Sequence, residues 1–289
     1  MIIDKLYKRV EEKGCVCVGL DTDTDYIPTQ IKNKYQDIDE VVFQFNKRII
    51  DATYDIVSTY KLQIAYYEAL GVKGLMAYSK TLKYLKSNDL ISIGDIKRGD
   101  ISTTATMYKK AHFEGEFEAD FVTLNPYMGF DSITPYLDNV ANGDKGIFVL
   151  LRTSNPGAKD IEYLKCEDGR EIYFHVGDKL YELSNKYLSS CGYSPIGAVV
   201  GGTYTDEAIE IRNRYDKMFF LIPGYGAQGA KGNDVKLYLK NGNGGIVNSS
   251  RGIIMAHKGK EDEYENFNQY IRKAVFDMRE DIGFERGKY

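Results

Sequence analysis

Two charged residues stand two apart in the run Asp95-Ile96-Lys97-Arg98-Gly99-Asp100-Ile101. That spacing turns both side chains to one side of a strand. At the C-terminal tip of a strand they would face the same opening, and Asp100 follows after a turn containing Gly99. Lys61 lies in a second run, Tyr60-Lys61-Leu62-Gln63, and Asp21 closes a third, Gly19-Leu20-Asp21. If those runs are neighbouring strands, four alternating charges converge at one rim. Such a cluster is costly to desolvate for stability alone, which favours an active site. A plainer reading stands beside it: a buried salt bridge, with Asp100 as a helix N-cap.

A second constellation comes late in the chain. Pro223-Gly224-Tyr225-Gly226-Ala227-Gln228-Gly229 has the spacing G-x-G-x-x-G, and the next apolar run ends in Asn248-Ser249-Ser250-Arg251-Gly252. A dinucleotide fold wants this motif at its first strand, with an acidic residue about 20 positions on. Here it is late, and Ser250-Arg251 follows instead. The better reading is a phosphate cradle between two strand ends, glycines bringing backbone N–H groups close and Arg251 gripping oxygens in a fork. The alternative is ordinary turn glycines and a surface arginine. The polar residues at the other strand ends include Asn125 and Ser154.

The elements that must position these residues are legible as eight short apolar runs. They are Cys15–Leu20, Tyr60–Ala65, Leu90–Gly94, Phe121–Leu124, Gly146–Leu151, Ile196–Val200, Met218–Ile222 and Gly245–Val247. Each is apolar on both faces, as strands of a parallel sheet are. Helical spacing fills the intervals, over Asp39–Thr59, Ala208–Arg214, Val235–Lys240 and Glu261–Asp281. Eight strands alternating with helices predict a (β/α)8 TIM barrel, whose active site lies at the C-terminal strand ends. With no linker or composition break, residues 1–289 read as one domain. One connection is long. Asp168-Gly169 between two β-prone stretches predicts a hairpin insertion around 158–175, either a lid over the mouth or a surface feature.

The 289 residues carry a net charge of −4, with 43% hydrophobic and 28% charged residues, which excludes disordered, collagenous and coiled-coil classes. No apolar run is long enough for a membrane span, and no basic stripe suggests a nucleic-acid partner. The start of the chain lacks a secretory pattern. The four cysteines, at 15, 17, 166 and 191, suit packing in a reducing compartment, so a cytoplasmic location is expected. The three histidines have no second ligand at metal spacing, so no metal is expected.

Taken together, these motifs resemble the orotidine 5′-phosphate decarboxylase family, in its longer bacterial branch. The resemblance rests on Gly19-Leu20-Asp21, Tyr60-Lys61-Leu62-Gln63-Ile64-Ala65 with Glu68-Ala69-Leu70-Gly71, and the Asp95–Ile101 run. It continues through Asn125-Pro126-Tyr127-Met128-Gly129, Thr153-Ser154-Asn155-Pro156-Gly157, the Pro223–Gly229 loop and Ser250-Arg251-Gly252, in the family's order. It implies decarboxylation of orotidine 5′-phosphate to UMP, the last step of de novo pyrimidine synthesis, without metal or organic cofactor. It implies that Lys97 supplies positive charge and protonates C6, that Asp95 sits near the departing carboxylate, and that Lys61 links this array to the ribose. Asp21 would accept from a ribose hydroxyl, Ser154 would meet the pyrimidine amide edge, and Gln228 would bridge base and phosphate. Pro223, Gly224, Gly226, Ser250 and Arg251 would complete the substrate surface. It also implies a homodimer, with Asp100, Ile101 and Thr104 completing the site across the interface. Tyr225 and the pair Tyr66-Tyr67 depart modestly from the family pattern.

Two rivals bear on the same residues. A sugar-phosphate decarboxylase or aldolase working through Mg²⁺ wants further carboxylates, and Lys61-Leu62-Gln63 offers none. A nucleotide-binding protein without activity is the other, but the charged residues are all present.

Overall fold

The computed structural model describes residues 1–227 and 229–284. Eight strands are present: β1 Val16–Gly19, β2 Thr59–Gln63, β3 Ser92–Arg98, β4 Phe121–Leu124, β5 Gly146–Arg152, β6 Ser194–Val200, β7 Met218–Ile222 and β8 Gly245–Ser249. All neighbours pair in parallel and in chain order, and β8 returns to β1 through Val16↔Val247, Cys17↔Asn248 and Val18↔Ser249, closing the barrel. The (β/α)8 expectation holds. Helices between the strands cover the outer face and leave the strands buried on both sides, which is why their sequences read as unbroken apolar runs. Inside the barrel, Phe121 of β4 stacks on Phe148 of β5 with ring centroids 5.2 Å apart.

The two ends of the barrel differ. Helix Ile2–Lys13 lies across the N-terminal strand ends. Its Asp4 carboxylate accepts from the Ser189 and Ser190 hydroxyls and the Cys191 N–H just ahead of β6. Asn243, just ahead of β8, donates to the Tyr7 carbonyl. The C-terminal strand ends stay open.

Several boundaries moved, each for a local reason. β2 stops at Gln63 rather than Ala65, because the Gln63 side chain accepts from the Ala65 N–H (3.2 Å) and caps helix Ile64–Glu68. The last helix spans Phe267–Ile282, starting later than periodicity suggests. The reading of a hairpin around 158–175 needs correction. One antiparallel bridge, Lys165 with Glu171, flanks the Asp168-Gly169 turn, but the second arm is α-helix Ile172–Ser184. Tyr173 and Phe174 are buried there, Tyr173 against the Tyr163 ring, and the Tyr215 hydroxyl donates to the Phe174 carbonyl. This tertiary packing overrides their β propensity.

The connection after β5 is fastened to the rim. The Glu162 carboxylate accepts from the Thr153 N–H (2.9 Å) and hydroxyl (2.7 Å). Arg152 is wholly buried, pairs with Glu207 at 2.8 Å and stacks on the Tyr204 ring. It is a pin between β5 and the helix after β6.

Candidate active site

Asp21, Lys61, Asp95 and Lys97 meet at the open end as one chain of alternating charge. Lys61 Nζ lies 3.1 Å from Asp21 Oδ1 and 3.0 Å from Asp95 Oδ2, and Lys97 Nζ lies 2.6 Å from Asp95 Oδ1. The register explains the meeting: Gly19 pairs with Lys61, and Gln63 with Asp95. Gln63 Nε2 also donates to Asp95 Oδ2 (3.1 Å), and the Thr123 hydroxyl donates to Asp95 Oδ1 (2.8 Å). Asp95 thus has four donors, two on each oxygen.

The electrostatics follow. Burial pushes the Asp95 carboxyl up, but Lys61, Lys97 and Thr123 outweigh it and hold the group well below the usual carboxylate range. Burial pulls the Lys61 ammonium down, but Asp21 and Asp95 outweigh that and hold it above the ordinary lysine value. Both groups are therefore charged. Lys61 and Asp95 have side chains only 5% and 8% exposed, whereas Lys97 is 43% exposed. The array presents one half-exposed cation to the mouth, held by Asp95, and keeps the rest buried.

Lys97 also has unusual backbone. Its φ is +46°, and Ser102 has φ +52°, a left-handed region costly for side chains of this kind. The β3–β4 register shifts between Gly94 and Arg98, so the strand bulges where the two charges sit.

These charges line a cleft of about 400 Å³ with Gln63, Tyr66, Pro223, Gly224, Tyr225, Ala227, Asn248, Ser250 and Arg251. The glycine-rich loop has φ of +106°, +71° and +97° at Gly224, Gly226 and Gly229, a backbone path closed to most side chains. The Tyr225 hydroxyl donates to Asp281 Oδ2 (2.8 Å), which also accepts from the Gly232 N–H (2.7 Å). The last helix thereby braces the loop from behind. Ser250 donates to the Gly19 carbonyl (3.0 Å), and a Cβ on Gly19 would come within 2.8 Å of the Ser250 Cβ. Glycine at 19 lets β1 and the β8 exit close together. The Arg251 side chain is exposed and, among the described residues, makes no ion pair or side-chain hydrogen bond.

Not every residue singled out in the sequence lines this cleft. Asp100 keeps its carboxylate on the Ile101 N–H (2.8 Å), and Ile101 and Thr104 are exposed at the start of helix Ser102–Phe113. Asp100 is not the helix N-cap: that position is Ile101, which makes no side-chain cap bond. Ser154 is half-buried beyond the β5 exit, beside Gly201. Gly226 sits in the loop behind the lining residues, and Gln228 lies outside the described residues. Thr123 escaped the sequence reading, although a lone hydroxyl in the apolar run Phe121–Leu124 was a usable signal. A hollow of about 430 Å³ at the closed end, among Tyr7, Glu11, Tyr193 and Lys240, gathers no comparable charge array. Among the described residues, no three His, Cys, Asp or Glu side chains converge as a metal site, and no helix is long and apolar enough to cross a membrane.

A charge array in a cleft at the C-terminal strand ends of a (β/α)8 barrel places this chain among the barrel enzymes. Comparison with known proteins narrows the class. The family described as orotidine 5′-phosphate decarboxylase / HUMPS matches residues 15–267. The orotidine 5′-phosphate decarboxylase of Petrotoga mobilis is 68% identical, across 99% of this chain and 100% of that protein. The one of Clostridium tetani is 60% identical, with 98% of each covered. Among solved structures, OMP decarboxylase of Leishmania donovani superposes with a TM-score of 0.75 at 28% identity, covering 97% of this chain and 96% of that one. The chain belongs to the orotidine 5′-phosphate decarboxylase / HUMPS family.

Proposed function

We propose that this protein decarboxylates orotidine 5′-phosphate to UMP in pyrimidine biosynthesis. The observation that carries the reading is the Asp21–Lys61–Asp95–Lys97 chain along the cleft, whose most exposed cation is its outermost member, Lys97. Breaking the bond between C6 and its carboxylate releases CO₂ and leaves the electron pair on C6 in an sp² orbital with little π delocalisation. Stabilisation then falls to fixed charge. Lys97 supplies it and gives C6 its proton. Asp95 holds Lys97 in place and charged, and lies near the departing carboxylate.

The remaining assignments follow the cleft. Asp21 and Lys61 meet the ribose. Ser154 meets the amide edge of the pyrimidine. Pro223, Gly224, Gly226, Ser250 and Arg251, with Gln228, take the phosphate side. Asp100 completes the charge array of a second copy of the chain, with Ile101 and Thr104 beside it; the absence of Asp100 from the lining of its own cleft and the exposure of Ile101 and Thr104 support that placement. The protein is then a homodimer in the cytoplasm, and its reaction takes no cofactor or metal.

Ultraviolet loss of orotidine 5′-phosphate, followed with and without EDTA, tests the reading. Turnover indifferent to chelation is expected. Turnover that EDTA abolishes would overturn the metal-free mechanism, and folded protein that binds UMP without turnover would overturn the activity. Mixing inactive Lys97→Ala with inactive Asp100→Ala chains tests the shared site: a mixed dimer should regain activity.

A further inference from the structure

We propose that Thr123 is a positioning residue, its single hydroxyl setting the backbone of Lys97 against the carboxylate of Asp95; this rests on the decarboxylase reading above. Thr123 is 1% exposed, and a buried hydroxyl must be partnered. Its one proton goes to Asp95 Oδ1 at 2.8 Å. Its oxygen accepts the Lys97 backbone N–H at 2.9 Å. The same carboxylate oxygen receives Lys97 Nζ at 2.6 Å. Three atoms of the array are therefore keyed to one side chain on the next strand.

The bulge makes this necessary. Between Gly94 and Arg98 the β3–β4 ladder loses register. It resumes only where Arg98 meets Leu124, and the Asn125 N–H donates to the Arg98 carbonyl at 2.8 Å. The Thr123 hydroxyl stands in for a ladder carbonyl at Lys97. It also supports a left-handed φ of +46° that a lysine does not adopt freely. The ammonium's direction depends on that φ. Losing the hydroxyl leaves the Nζ chemistry intact but releases its aim, and misplacement of about 1 Å costs roughly 100-fold in rate.

The test compares Thr123→Val, which keeps the shape and removes the hydroxyl, with Thr123→Ser, which keeps the hydroxyl. Turnover of orotidine 5′-phosphate should show kcat lowered about 10- to 100-fold in Thr123→Val, with KM changed less than about three-fold. Thr123→Ser should recover most of the kcat. Amide hydrogen exchange supplies a readout independent of activity: the Lys97 N–H should be protected in wild type and Thr123→Ser and lose protection in Thr123→Val. Should Thr123→Val fail to fold, Thr123→Ala takes its place in the same comparison. An unchanged kcat, an equal loss in Val and Ser variants, or a Lys97 amide equally protected in all three would overturn the assignment. Wild-type protein that consumes no substrate would overturn the decarboxylase reading, while the exchange comparison would still decide whether Thr123 holds Lys97.

Discussion

On the β1 to β4 side of the mouth every charge has a partner; on the β7 to β8 side Arg251 has none among the described residues. The first side is a closed network with its members mostly out of water. The second is a glycine-rich loop, an exposed guanidinium and a brace from the last helix. The difference separates two tasks. In the proposed reaction, charge that acts on the reacting atom is fixed at folding, so that little reorganisation remains at the moment of reaction. In that proposed reaction, charge that captures the phosphate is left unpaired, so that the binding energy gained there can be used at the reacting carbon.

Substitutions on the two sides should therefore fail differently. Lys97→Ala is expected to have the largest effect, a loss of kcat of more than about 1,000-fold. Its half-exposed side chain predicts little change in melting temperature, and calorimetry beside the ultraviolet assay checks both. Lys61→Met should instead destabilise the fold by about 3–5 kcal/mol, because it strands two carboxylates around a missing cation. The pH dependence has a definite sign. In wild type the depressed Asp95 contributes stability above the ordinary carboxylate value of about 3.9 and loses it as pH falls below. In Lys61→Met the Asp95 carboxylate loses the Lys61 charge and protonates more readily, so the deficit against wild type narrows on acidification, as urea midpoints at neutral and acid pH would show.

On the other side, Arg251→Ala should raise KM for orotidine 5′-phosphate about 10- to 100-fold, the worth of a charge-assisted contact. Its effect on orotidine lacking the phosphate should be small, and equal losses on both substrates would erase the contrast between the sides. The smallest effect is expected from Tyr225→Phe, which removes one neutral donor to Asp281. A KM increase of about two- to five-fold is expected, read from the same assay.

How much of this the sequence disclosed depends on whether a feature is local. The strand runs, the two-residue spacing of Asp95 and Lys97 and the glycine loop are consecutive residues, and they were legible. Phe121–Leu124 and Met218–Ile222 match the strands to the residue, because burial on both faces keeps each run apolar at both ends. The role of Thr123 was not legible, since it depends on a register shift between two strands, and no single strand records its partner's register. The 158–175 segment misled for a related reason. Asp168-Gly169 did make its turn, but Tyr173 and Phe174 found a helical packing site beside Tyr215 that local propensity does not report. Asp100 is a third case. Its spacing marked it, yet its carboxylate turns to the Ile101 N–H and does not line the cleft, an orientation that spacing does not record.

The seam between β1 and β8 carries a consequence for the order in which this protein comes into being. Lys61, Asp95 and Lys97 are synthesised within the first 97 of 289 residues, whereas Arg251 and the Asn248–Ser250 wall arrive near the end. Until Cys17 finds Asn248 and Val18 finds Ser249, the incomplete sheet has two bare edges and its charges remain in water. Pairing the first strand with the last is a contact of very high sequence separation and therefore a slow one. Closure of the barrel and assembly of the Asn248–Arg251 wall of the cleft thus depend on that one late pairing. A ribosome-bound chain lacking β8 would hold Asp21, Lys61, Asp95, Lys97 and the Pro223–Gly229 loop, but not the Asn248, Ser250 and Arg251 side of the cleft.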